Sequence, residues 1–147
     1  MIMAFGNIHY IFKNKMKLEK VYEKLINTLS PTINSSKKYW VIAASLDHHN
    51  NIISIGENSY QKTHPMQSRL SAKVGSRNRE YLHAEIASLV KNRSMVESIM
   101  VVRMTCGGLV RMARPCNICN LALREAGIKY IYFSGDDSIL HLEEIKY

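Results

Sequence analysis

His83 and Glu85 stand two positions apart in the stretch EYLHAEIASLV, and Cys116 and Cys119 share the later stretch RPCNICN. An imidazole and two thiolates are donors that zinc prefers, and three protein ligands leave one of its four tetrahedral positions open, the pattern of a catalytic rather than a structural site. Two cysteines at C-x-x-C spacing near a helix start can direct both thiolates at one point. A structural site would need a fourth ligand, for which Cys106 is the available candidate. Glu85 gives the open position a use. Two residues after His83, it can reach a water on the metal without itself being a ligand, and zinc lowers the pKa of such a water to about 7. A carboxylate there can accept the water's proton and return it to a leaving nitrogen. The cysteine pair also admits a redox reading, which predicts thiols that titrate freely and no bound metal.

These residues need elements to hold them. Leu18, Val21, Tyr22, Leu25, Ile26 and Leu29 fall on one helical face, so an amphipathic helix is expected from Leu18 to about Ser30, where Pro31 stops it. Residues 1–15 precede that span and read as an N-terminal extension to a single domain over 16–147, with Met16 an alternative start. The runs YWVIAASL (39–46) and IISIGE (52–57) are β-rich and joined by the polar turn DHHNN, a hairpin pattern. His48 and His49 in that turn read as exposed, because successive side chains point apart. Residues 58–80 show no clear period and carry five Lys or Arg against one Glu, which predicts a long basic loop. A helix is expected from Tyr81 to about Lys91, a buried strand over SIMVVRM (98–104), a helix opened by Pro115 near Cys116 and closed by Gly127, and a strand over KYIYF (129–133). The order α-β-β-α-β-α-β, with its last two strands joined through a helix, implies an α/β fold: a mixed sheet flanked by helices.

Composition narrows the class. With 147 residues, 46% of them hydrophobic and 22% charged, the chain fits one globular domain. It has no apolar run near the ~18 residues a spanning helix requires. The apolar opening is followed, not preceded, by its lysines, which is the wrong polarity for a secretory signal, so a cytoplasmic location is expected and no membrane partner. Three cysteines without an export signal favour metal or redox chemistry over disulfides. A net charge of +8 suits phosphorylated ligands or polyanions.

The combination H-A-E at 83–85 and P-C-N-I-C at 115–119 resembles the two zinc motifs of the cytidine deaminase-like superfamily, and the similarity of element order extends from about Leu18 to Phe133. The resemblance implies a three-layer α-β-α sandwich, bound Zn2+ held by His83, Cys116 and Cys119, Glu85 as the catalytic proton shuttle, and the Ala84 backbone helping to fix the base. Asn58 in GENSY matches the place of a sugar- or base-contacting Asn. The family's frequent T-L-E-P-C approach to the second motif is replaced here by RMARPC. By the same resemblance the chain is a hydrolytic deaminase with cytosine the favoured base, and a homo-oligomer is plausible.

The carrier of the base divides the readings. Lys62 and His64 with Arg114 offer one phosphate pocket, which favours a free (deoxy)cytidine nucleotide such as dCMP. A cytosine or adenine deaminase acting on single-stranded DNA or RNA would need a charged groove with aromatic platforms, and the basic loop has tyrosines only at its ends, Tyr60 and Tyr81. A zinc-stabilised binding module without turnover is the reading from another class, and the presence of Glu85 argues against it.

Overall fold

The computed structural model describes residues 5–75, 81–92 and 95–147, with side chains from Lys13 onward. Arg77 and Arg79 of the expected basic loop lie outside the described residues. A six-stranded mixed sheet runs β2 (Ile52–Glu57), β1 (Tyr39–Leu46), β3 (Ser98–Thr105), β5 (Tyr130–Ser134), β6 (Leu140–Glu144), with the short β4 (Val110–Arg111) also paired to β3. β1 is antiparallel to both β2 and β3, β3 is parallel to β5, and β5 is antiparallel to β6. The hairpin between β1 and β2 is tied by Asp47, whose Oδ1 accepts from the His49 and Asn51 amides at 2.9 Å each, and Asn50 takes φ 62°. His48 and His49 are exposed there, as expected.

Strand alternation sorts the core into two layers. Ala43, Ile99, Val101, Ile131 and Phe133 face one side, against α2 (Pro65–Lys73), α3 (Ala84–Lys91) and α4 (Asn117–Glu125). Ile42, Ala44, Leu46, Met100, Val102 and Met104 face the other, against Val21, Tyr22, Leu25 and Leu29 of α1 (Phe5–Leu29). The mixed sheet flanked by helices that the element order implies, and the three layers that the resemblance implies, are observed. Helix α1 begins earlier than its apolar stripe suggests, so residues 5–15 form its first turns instead of preceding it.

Four local features bear on the site, the first two being differences from the sequence reading. The loop over 58–80 contains α2, opened by His64 and Pro65. The zinc-motif helix starts at Ala84, not Tyr81, which makes His83 its N-cap. Cys116 likewise caps α4 from outside the helix, which ends at Glu125 with Gly127 at φ 74° just beyond. The segment after Phe133 turns through Gly135–Ser138 and returns as strand β6. Gly56 explains how closely α3 sits on β2: a Cβ at that position would lie 2.6 Å from the Ala84 carbonyl oxygen and 2.7 Å from Ala87 Cβ, so only glycine admits the helix.

Candidate active site

His83 and Cys116 occupy extended N-cap positions, φ −80° ψ 154° and φ −70° ψ 174°, and neither makes a side-chain cap to its own helix. Their side chains turn toward each other instead. The His83 Nδ1 lies 3.2 Å from Cys119 Sγ and 3.5 Å from Cys116 Sγ, and the three donor atoms all fall within 4.8 Å of one another. Backbone bonds fix these ends: the His83 carbonyl accepts from Ala87 N at 2.9 Å, the Cys116 carbonyl from Asn120 N at 2.8 Å, and the His83 N–H donates to Gln67 Oε1 at 3.2 Å. Gln67 is fully buried on α2, so the helix hidden in the supposed loop supports the site directly.

The donor set fits zinc. Zn–S of 2.3 Å and Zn–N of about 2.05 Å at a tetrahedral angle set the S···N separation near 3.6 Å, close to both observed spacings. The two thiols are shifted in opposite directions, and only the Cys116 shift favours the thiolate that zinc takes. A hydrogen bond from Cys119, aided by one from the His83 ring, brings Cys116 down to about 3 despite its burial, while Cys119, donor of that bond and enclosed in the core, is pushed up. Cys106 is exposed in the turn after β3 and is not part of the cluster, so among the described residues the group has three donors, not four.

Glu85 is 6% exposed in the first turn of α3. Burial raises its carboxyl above the ordinary 4.5, with the helix-start backbone and His83 acting the other way. A cavity of about 450 Å³ opens onto these groups, lined by His83, Ala84, Glu85 and Cys116 on one side and by Tyr39, Asn58, Arg103 and Arg114 among others on the rest. That volume suits a nucleotide-sized molecule.

The other sequence-predicted contacts divide. Ala84, Asn58 and Arg114 line the cavity, whereas Lys62 and His64 do not. His64 uses its ring to cap α2, accepting from Met66 N at 3.1 Å. Asn58 extends the β1–β2 pairing with its side chain, accepting from Val41 N at 2.9 Å and donating to the Tyr39 carbonyl at 3.2 Å. Arg114 is paired with Glu143 of β6 at 2.8 Å. Arg103 and Tyr39 were missed. Arg103 lies in a run that reads as a buried strand and Tyr39 in one that reads as a hairpin strand, and the signal for Arg103 is a lone cation among apolar residues. Tyr60 and Tyr81, at opposite ends of the basic stretch, meet at the cavity because the Ser59 amide donates to the Leu82 carbonyl at 2.9 Å and Thr63 bridges to Tyr81.

A search of curated proteins returned no match. A crystal structure of a mutant cytidine deaminase from Mycobacterium tuberculosis shares 17% identity and a TM-score of 0.43, over 77% of this chain and 84% of that one. The family described as "Cytidine and deoxycytidylate deaminase zinc-binding region" matches residues 15–135, a span that includes both zinc motifs and the strands between which they lie. No helix among the described residues is long and apolar enough to cross a membrane. With most of its length matched and the His83, Cys116 and Cys119 donors gathered at one point, this chain belongs to the cytidine and deoxycytidylate deaminase family of zinc-binding proteins.

Proposed function

We propose that the protein, through its domain at 16–147, hydrolytically deaminates the cytosine of a (deoxy)cytidine nucleotide such as dCMP. The observation that carries this reading is a buried carboxylate, Glu85, beside the His83, Cys116 and Cys119 donors on the wall of a nucleotide-sized cavity. His83, Cys116 and Cys119 would hold zinc, whose chemistry when bound is to make water a nucleophile at neutral pH.

The chain's own groups do the rest. Water oxygen adds to the amine-bearing ring carbon, the C–N bond to the amino group breaks, and the nitrogen leaves as ammonia. Glu85 takes the proton released by the water and delivers it to the departing nitrogen, a role suited to a carboxyl that burial holds above the usual range. The Ala84 backbone, in the first turn of α3 and on the cavity wall, orients the base. Asn58, locked to the edge of β1 by its two side-chain bonds, presents a rigid contact for the sugar.

A second reading, deamination within single-stranded DNA or RNA, has one observation in its favour. Tyr60 and Tyr81, 47% and 48% exposed, both line the cavity and would offer stacking faces to neighbouring bases. Ammonia release from cytidine, dCMP, dCTP and a cytosine-containing oligonucleotide, offered side by side to the zinc-loaded protein, separates the two. Turnover of dCMP supports the first reading; turnover of the oligonucleotide alone replaces it with the second. A binding module without turnover would leave all four unchanged, in the parent and in Glu85→Gln alike.

A further inference from the structure

The cations of this protein are sorted by partner. Arg69 and Lys73 pair with Glu125, Lys129 with Glu97, and Arg114 with Glu143, at 2.8 to 3.6 Å. Arg103 makes no ion pair among the described residues, although it lines the cavity that holds Glu85. It is held in place by stacking, with its guanidinium carbon 3.7 Å from the centre of the Tyr39 ring. Strand geometry explains the pair. Tyr39 and Val41 on β1 face the same side as Val101 and Arg103 on β3, and since Val41 is directly opposite Arg103, Tyr39 is its diagonal neighbour.

More positive charge lies near Arg103, although Arg111, Lys38 and Lys37 do not line the cavity itself. Arg111 of β4 is directly opposite Arg103, a like-charge cross-strand arrangement that disfavours the pairing unless an anion sits between or above the two. Lys38 Nζ lies 5.4 Å from the same Tyr39 ring, whereas Lys37 Nζ sits over the Trp40 ring, 4.4 Å from its centre, and donates to the Asn58 carbonyl at 2.9 Å. None of these four cations has an acidic partner among the described residues. Stacking on an aromatic face leaves the edge of the guanidinium, with its forked donors, directed away from the ring.

We infer that Arg103, seated on Tyr39 and flanked by Arg111 and Lys38, is the phosphate subsite of the cavity and sets the preference for a phosphorylated substrate over a free nucleoside. This inference rests on the deaminase reading for the base but not for the phosphate. A planar fork meets a phosphate with two parallel charged hydrogen bonds, and such a contact sharpens affinity roughly 10- to 100-fold. Arg114, the cavity arginine that the sequence singled out, already has a carboxylate partner in Glu143 and is assigned no such role.

The test is equilibrium binding of deoxycytidine, dCMP, a single-cytosine oligonucleotide and inorganic phosphate, in a Glu85→Gln background that prevents turnover. Zinc content and circular dichroism are checked throughout. The expected result is tighter binding of dCMP than of deoxycytidine, a ratio that falls toward one with Arg103→Ala, is partly kept by Arg103→Lys, and survives Tyr39→Phe, which retains the ring. An Arg103 effect confined to the oligonucleotide would keep the subsite and make its phosphate that of a strand. A ratio unchanged by Arg103→Ala, or equal weakening of both ligands, would overturn the inference while leaving the deaminase reading intact. Should no cytosine compound bind, inorganic phosphate decides: binding lost with Arg103→Ala keeps the subsite and removes the deaminase reading, whereas phosphate binding indifferent to Arg103 removes the subsite too.

Discussion

Two histidines precede helices on the same side of the sheet, both with extended backbone, and they do opposite things. His64 turns its ring onto its own helix and accepts from Met66 N, satisfying one of the orphan amides at the start of α2. His83 leaves the start of α3 without a side-chain cap and points its ring at Cys116 and Cys119. Cys116 does the same at α4. A missing cap costs about 0.5 to 2 kcal/mol, so the two site helices give up local stability in order to converge on one point. The same residue type at the same helix position closes its ring on its own backbone in one case and turns it toward two cysteines in the other.

The largest effect is expected from removing that convergence. His83→Ser installs a good capping residue in place of the proposed metal ligand; zinc should be lost, and deamination should fall by roughly a thousandfold or more, while the metal-free helix start gains a cap. Zinc content by atomic absorption, read beside activity, checks this, and retention of metal by the variant would show that the ring is not a ligand. Glu85→Gln comes next, with a loss of roughly 10²- to 10⁴-fold in kcat at undiminished zinc content. In the zinc-free protein the same change should raise Tm at neutral pH. A carboxyl whose folded-state pKa is raised contributes its full stability below the unfolded value of 4.5 and loses it as pH rises through the raised one, so the gain from Gln should vanish below about pH 4.5. A Tm difference that stays constant across that range would mean Glu85 does not titrate as its burial implies.

Smaller effects come from the supports. Gly56→Ala forces backbone of α3 away from β2, at a cost of about 1 to 3 kcal/mol, and because α3 carries Glu85 and follows His83, activity should drop with stability. Denaturant unfolding and kcat measured together test the coupling; a stable variant with reduced activity would still place the helix at fault, whereas full activity would not. His64→Ala should be the mildest, about 0.5 to 2 kcal/mol of stability with zinc content and kcat untouched, and His64→Asn should recover most of that loss.

How far the sequence foretold this arrangement depended on how regular each segment's pattern is. The strands β1, β2, β3 and β5 are dense in β-branched and apolar residues, and the two motif helices carry clear signals, with Pro115 and Gly127 bounding α4. The zinc donors and Glu85 stood out because their spacing is hard to obtain otherwise. Helix α2 did not, because its inward face alternates Met66 and Leu70 with Gln67 and Ser71, all buried, so polar residues interrupt the apolar stripe. Yet Gln67 is polar for a reason, since it accepts from the His83 amide. Arg103 was hidden by the opposite circumstance, a charged residue at the end of an apolar strand whose partner, Tyr39, lies on a different strand. Its meaning depends on register, which no local pattern reveals. The strand β6 and the Arg114–Glu143 pair likewise follow from a turn at Gly135–Ser138 that returns the chain beside β5.

The central claim is that Glu85 moves protons at a metal centre it does not help to bind. The most direct test is ammonia release from dCMP by the zinc-loaded parent and by Glu85→Gln, with zinc content determined on the same samples. Equal zinc in both, with turnover that depends on Glu85, is the expected result. Equal zinc with equal turnover would contradict it, and so would loss of zinc from the Gln variant, which would make Glu85 a ligand.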